Sequence, residues 1–403
     1  MNEARWGLDQ PAQVVGEQLA VPAAWYRGGT SNALVVRPES LPTSDRDDLA
    51  SWLWAAYGSG DVRQVDGLGA GDMLRSKFAI VGPSDRPDAD VDYTFVQLGV
   101  SEKMIDWTIL CGNISSVVGP YAVDEGLVPA VEPATTVRIY NSNTQSVIHA
   151  TVQVRDGRAR TEGDFEMAGV PGTGSVVELD FRESAGTQTG RVLPTGRVRD
   201  VLDVEGLGQV EVSIVDVSIP LVFVQASSLG VTGAESHAVL LADQKVRERV
   251  SAVRRAAAVM LGWASSVDRA DEEARIRPGA VMVGPPAAWT DMRGVQLEAA
   301  ACDLHVRAAS VVNVHKAFMG TGSICAGVAA RIPGTVVHDV TRPEAHERGE
   351  YRLGHPSGTT PVLVDLTMAD GVPTITQASI ERSARRMFEG RVLVPTQRLS
   401  WRP

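Results

Sequence analysis

Two stretches of this 403-residue chain place side chains that could move protons at what read as helix mouths. Residues 109–128 read ILCGNISSVVGPYAVDEGLV: an apolar approach, Cys111, a Gly-Asn step, then small residues suited to a buried helix. The first N–H groups of a helix lack intrahelical partners, so Gly112 and Asn113 would offer donors to a carboxylate. The same end favours the thiolate of a cysteine placed on it. Cys111 could then act as acid or base toward a carbon beside that carboxylate. A buried structural cysteine is the commoner case, and spacing alone leaves both readings open.

Residues 315–334, HKAFMGTGSICAGVAARIPG, repeat the pattern. Gly320, Thr321, Gly322 and Ser323 would present N–H groups and two hydroxyls as a second carboxylate cradle, with His315 close before it. As a dinucleotide fingerprint this run is weak, because the third glycine is displaced to Gly327 and no βαβ unit with a ribose-binding acid accompanies it. Cys325 falls inside the helix and, with Cys302, reads as core. Arg27, Thr30 and Ser31 flank Gly28-Gly29, whose backbone permits close approach; Arg27 could grip a carboxylate at two points. The competing reading is a tight turn with a solvated arginine. Lys77, preceded by Ser76, opens an apolar strand after a Gly-rich loop. Partial desolvation there favours the neutral amine that a general base needs, and a snorkelling surface lysine is the alternative.

The elements that must hold these residues are mostly strands. Alternation and Gly punctuation in 21–38 predict strand, turn, strand. A helix follows over 43–58, capped by Thr43 or Ser44. Strands are expected at 76–84 and 93–100, a hairpin turns around Asn141 to Gln145, and further strands lie at 208–227, 300–313, 360–369 and 391–395. A long amphipathic helix is expected over 236–263. Residues 1–20 read as a loose extension, 21–186 as one half and 187–403 as a second, with a C-terminal strand that can return to the first. Each half is β-rich with one small-residue helix behind a Gly-rich mouth, which suggests a duplicated α+β architecture with a sheet around a central helix.

A net charge of −11 without any basic run argues against nucleic acid as a partner. No stretch has the roughly 18 apolar residues of a membrane span and no signal-peptide core opens the chain, so a cytoplasmic protein is expected. Three widely spaced cysteines argue against a disulfide framework, and the absence of Cys-x-x-Cys or paired histidines argues against a metal site.

Taken in order, RGGTSNALVV, DGLGAGDMLRSKFAIVG, CGNISSVVGPYAVDEGLV, GVPGTGSVVELDF, LPTG and HKAFMGTGSICAGVAARIPG resemble the PrpF family, the 2-methylaconitate cis-trans isomerases and related allylic isomerases. The resemblance runs from about residue 22 to 335. It implies the diaminopimelate epimerase-like fold, with two pseudo-symmetric halves each rolled around a central helix. It also implies a cofactor-independent isomerase of an unsaturated di- or tricarboxylate. Lys77 and Cys111 would exchange the proton, while Arg27, Thr30, Ser31, Ser76, Gly112, Asn113, His315 and Gly320 to Ser323 would bind substrate. Where the broader fold has a second catalytic cysteine this chain has Met319, which disfavours a racemase. Asn32-Ala33 replaces the family's usual Lys-Gly, and Asp72 to Arg75 replaces small hydroxyl residues. A 4-oxalomesaconate-type tautomerase on the same residues and a non-catalytic carboxylate-binding protein are the alternatives. A homodimer is the assembly to test.

Overall fold

The computed structural model describes residues 8–275 and 277–403. The chain divides into two compact units: one is the chain up to Leu179 together with Arg382–Pro403, the other is Asp180–Glu381. The first contains β1 (Gln18–Gly28), β2 (Ser31–Val36), α1 (Arg46–Tyr57), β3 (Lys77–Pro83), β4 (Val91–Leu98), α2 (Gly112–Asp124), β5 (Ala134–Asn141) and β6 (Ser146–Arg155). The second contains β7 (Asp200–Val204), β8 (Gly208–Val217), β9 (Ile219–Gln225), α3 (Gln244–Met260), β10 (Gly279–Gly284), β11 (Leu304–Ala308), α4 (Gly320–Arg331), β12 (Glu350–His355), β13 (Gly358–Ala369) and all but the last residue of β14 (Val372–Arg382). The last strand, β15 (Ala384–Pro395), belongs to the first unit and pairs along β1.

In the first unit the strands run β15-β1-β2-β3-β4-β5-β6, antiparallel except for β2 beside β3 and β4 beside β5. In the second they run β7-β8-β9-β10-β11-β12-β13-β14, antiparallel except for β9 beside β10 and β11 beside β12. Parallel neighbours need a crossover, and each of these crossovers carries a helix: α1, α2, α3 and α4 in turn. The same succession of pairings and crossovers in both units gives the α+β fold its internal repeat.

Each sheet is covered on both faces, because successive strand residues point to opposite sides. In the first unit Trp25, Leu34, Val36, Phe78, Val96 and Leu98 pack with Trp52, Leu53 and Tyr57 of α1. The opposite face surrounds α2, where Ile114, Val117, Val118 and Tyr121 are fully buried and the only polar side chains are short. In the second unit Val212, Ile214, Val222, Val224 and Met282 pack with Val246, Val250 and Val253 of α3. α4 is buried from Thr321 to Ala330.

Several local expectations change. The cap of α1 is Asp45, whose carboxylate accepts from the N–H groups of Asp47 and Asp48. The helix expected over 236–263 is two, His237–Ala242 and α3, because Asp243 leaves helical geometry and its side chain accepts from Val246 N–H to start the second. Of the extension expected over 1–20, residues 1–7 lie outside the described residues. The remainder is tied down: Gln13–Val15 pairs with the start of β1 through a Gly16-Glu17 turn, and Leu8 is buried. Among the described residues no helix is long and apolar enough to cross a membrane.

Candidate active site

β3 and β4 pair so that Lys77 lies opposite Gln97, Ala79 opposite Phe95 and Val81 opposite Tyr93. These odd-numbered residues share one face of the sheet, opposite to Phe78, Val96 and Leu98, which meet α1. Lys77 is only 6% exposed, so it does not snorkel. Its Nζ donates to Gln97 Oε1 at 2.5 Å and sits 5.4 Å above the Phe95 ring. Gln97 cannot turn its amide away: Nε2 donates to the carbonyls of Met73 at 3.2 Å, Ser76 at 2.9 Å and Leu98 at 3.1 Å. Three acceptors around Nε2 leave Oε1 facing the lysine. The backbone is pinned as well, since the Tyr57 hydroxyl donates to Lys77 O and accepts from Leu34 N–H.

Cys111 is the N-cap of α2, in extended geometry, half-buried, and no side chain caps the helix. The first helical bond runs from Ser115 N–H to Cys111 O at 2.9 Å, so the preceding N–H groups carry the positive end of the helix dipole. Burial raises the Tyr93 phenol pKa, and the negative charge of Cys111 raises it further. Burial pushes the Arg382 guanidinium down to about 10, against the opposing pull of Cys111. Tyr93 lies two residues from Phe95 on the face that carries Lys77. The amine is therefore held over Phe95 by its strand, and the thiol stands at the end of α2 in the same unit.

The double glycine explains itself through α2. A Cβ on Gly28 would lie 2.4 Å from Asn113 O, and one on Gly29, at φ +53°, would lie 2.3 Å from Asn113 Oδ1. Asn113 Nδ2 donates to Thr30 Oγ1 at 2.9 Å and to Ser31 Oγ at 3.3 Å, stitching the β1–β2 turn to the helix mouth. Arg27 is committed to the chain: Nη1 donates to Gly29 O, Ser383 O and Ser383 Oγ at 3.1, 2.8 and 3.1 Å. Burial, and then Arg385, lower its pKa. It is not the solvated arginine of a plain turn, since one of its nitrogens is spent on the chain itself. Ser76 is fully buried and donates to Gln64 Oε1 and Asp72 O, so it braces the 64–76 loop instead of facing a ligand.

In the second unit Gly320 to Ser323 form the first turn of α4 behind Met319, again without a side-chain cap. Ser323 Oγ turns back to Met319 O at 3.0 Å, which leaves Thr321 as the hydroxyl not spent in this way. His315 is exposed, and its Nδ1 accepts from Ala317 N–H at 3.1 Å. Cys325 is buried and directed at Val215 O, and burial raises its thiol pKa. Cys302 is also buried and pushed up to about 11 by burial.

Gln97, Phe95, Tyr93 and Arg382 were missed from sequence. The alternation Tyr93, Phe95, Gln97 marks one strand face, and a glutamine there is a legible signal. Arg382 lies 271 residues from Cys111, and no spacing rule joins them.

The first unit thus holds a buried lysine on a strand and a cysteine at an uncapped helix mouth, two groups of the kind that can carry a proton. The chain belongs to the PrpF family: the model of the PrpF protein matches residues 18–395. It is 40% identical over 386 residues to the 3-methylitaconate isomerase of Eubacterium barkeri, covering 96% of this chain and 100% of that one. It is 35% identical over 393 residues to the 2-methyl-aconitate isomerase of Cupriavidus necator, covering 94% and 98%. A crystal structure of methylitaconate-delta-isomerase superposes with a TM-score of 0.85 at 39% identity, covering 96% and 100%.

Proposed function

We propose that this isomerase moves an allylic proton in an unsaturated di- or tricarboxylate and so shifts its double bond, with Lys77 and Cys111 as the two proton carriers. The observation that supports the reading is that one unit carries both, a buried amine over Phe95 and a thiol at the uncapped mouth of α2. One group takes a proton from the carbon next to the double bond. The electron pair left behind spreads through the double bond into a carboxylate, giving a dienolate. The other group returns a proton at the far end of the conjugated system. Reprotonation there completes migration, and rotation before reprotonation gives cis-trans isomerisation. No electrons are gained or lost. The N–H groups at the mouth of α2 suit the charge that develops on the carboxylate.

Similarity along its full length to a methylitaconate isomerase favours double-bond migration in a branched dicarboxylate. Similarity to a methylaconitate isomerase keeps a tricarboxylate within range. Proton NMR in D₂O tests this with 3-methylitaconate, itaconate, 2-methylaconitate, cis- and trans-aconitate and oxalomesaconate. Enzyme-dependent deuterium at an allylic carbon of one acid, abolished in Lys77→Ala, is the expected result. No exchange with any acid at high enzyme concentration would leave the fold without this function.

A further inference from the structure

β15 pairs with β1 on one side, and its other edge pairs with nothing among the described residues. Twelve residues of open strand edge are a template for another strand. The strand has a bulge at Met387 and charged side chains, and it also exposes apolar ones: Phe388 is 50% exposed, Leu393 51% and Met387 47%. At its middle is Gly390. A Cβ there would meet nothing within 4 Å, and its backbone is not left-handed, so the chain's own fold does not require a glycine. Glycine inside a strand is a mark of close approach by another backbone.

We infer that β15 pairs antiparallel with β15 of a second copy of this chain, about a two-fold axis at Gly390. The sequence of the strand is self-complementary in this register. Antiparallel pairing with Gly390 opposite Gly390 sets Glu389 against Arg391, Phe388 against Val392 and Met387 against Leu393, and the two-fold repeats each pair. Both charges are answered and the apolar residues meet one another. Moving the axis by one residue, to Glu389, would place Glu389 against Glu389, a like-charge pair. Phe388 already stacks on Trp25 at a ring distance of 6.3 Å, so the apolar part of the edge is built on rigid structure. Within its own chain Arg391 reaches the Gln13 side-chain amide, and Glu389 lies 3.9 Å from Arg386. Neither contact covers the edge.

Sedimentation equilibrium of the full chain, of mass 42.9 kDa, reads the assembly directly. The wild type should sediment as a dimer or as a multiple of dimers. Glu389→Arg and Arg391→Glu each turn two attractive pairs into two repulsive ones, and should raise the dimer dissociation constant at least ~10-fold. The combined E389R/R391E chain restores opposite charges in both pairs and should recover the wild-type constant. That recovery separates pairing from misfolding. A monomeric wild type at 100 µM overturns the inference, as does a dimer that either single reversal leaves intact, or a double variant that stays as weak as the singles.

Discussion

Replacing Gln97 by leucine tests the architecture of the site more sharply than removing the lysine itself. The substitution keeps a buried side chain of similar reach but withdraws the acceptor 2.5 Å from Lys77 Nζ and the donor to three backbone carbonyls. A hydrogen bond involving a charged group contributes about 1.5–3 kcal/mol. If that interaction holds the amine in its reactive position, its loss corresponds to a fall in kcat of about 10- to 100-fold. The orphaned carbonyls will also destabilise the fold, so rates are measured per folded molecule, well below the onset of unfolding. The assay is a double-mutant cycle on the isomerisation identified by NMR. Gln97→Leu should cost its full factor in the wild type and almost nothing in Lys77→Ala, because its effect passes through the lysine. A kcat for Gln97→Leu within about twofold of wild type would refute the reasoning. Equal losses in the presence and absence of Lys77 would refute it too.

Three other outcomes are expected. Lys77→Ala and Cys111→Ser should each lower kcat at least about 100-fold, while Cys325→Ala leaves turnover intact; steady-state kinetics on folded protein decides, and unchanged turnover in the first two discards the mechanism. Iodoacetamide on the native chain should label Cys111 and spare Cys302 and Cys325, which are fully buried, with a bound polycarboxylate slowing the reaction; peptide mass spectrometry reads each site. Burial, helped by Arg307, pushes the His305 imidazole down to about 4, against 6.5 for the free side chain. Between those values the unfolded chain binds a proton that the native chain does not, so stability falls as pH drops below about 6.5 and levels off below about 4. Urea unfolding from pH 6.5 to 5 should show a loss of about 2 kcal/mol that His305→Gln lacks, and the same loss in both proteins would count against it.

Much of this molecule was legible in its sequence. The two helix mouths could be read because a small-residue run behind a Gly-rich turn reports local geometry, and helix starts depend on neighbours within one turn. Lys77 could be singled out because a lysine at the head of an apolar strand is a local anomaly. Local reading failed where residues with two possible local states were decided by a neighbour. Asp243 splits a continuous amphipathic pattern by capping from within it, and Asp45 takes the cap that Thr43 or Ser44 could have filled.

What the sequence could not decide was which side chains are spent on the protein itself. Arg27, Ser76 and Ser323 look like ligand-binding groups by type, yet their hydrogen bonds close onto Ser383, Gln64 and Met319. Gln97 looks like strand filler and turns out to hold the lysine. The sequence by itself determined most of the local elements and the types of acid and base available, and it suggested the duplication. Only the tertiary structure decided that Lys77 is buried over Phe95 and held by Gln97. Strand register and the docking of a helix on a sheet are set by burial summed over the whole unit, and no window of sequence contains that sum.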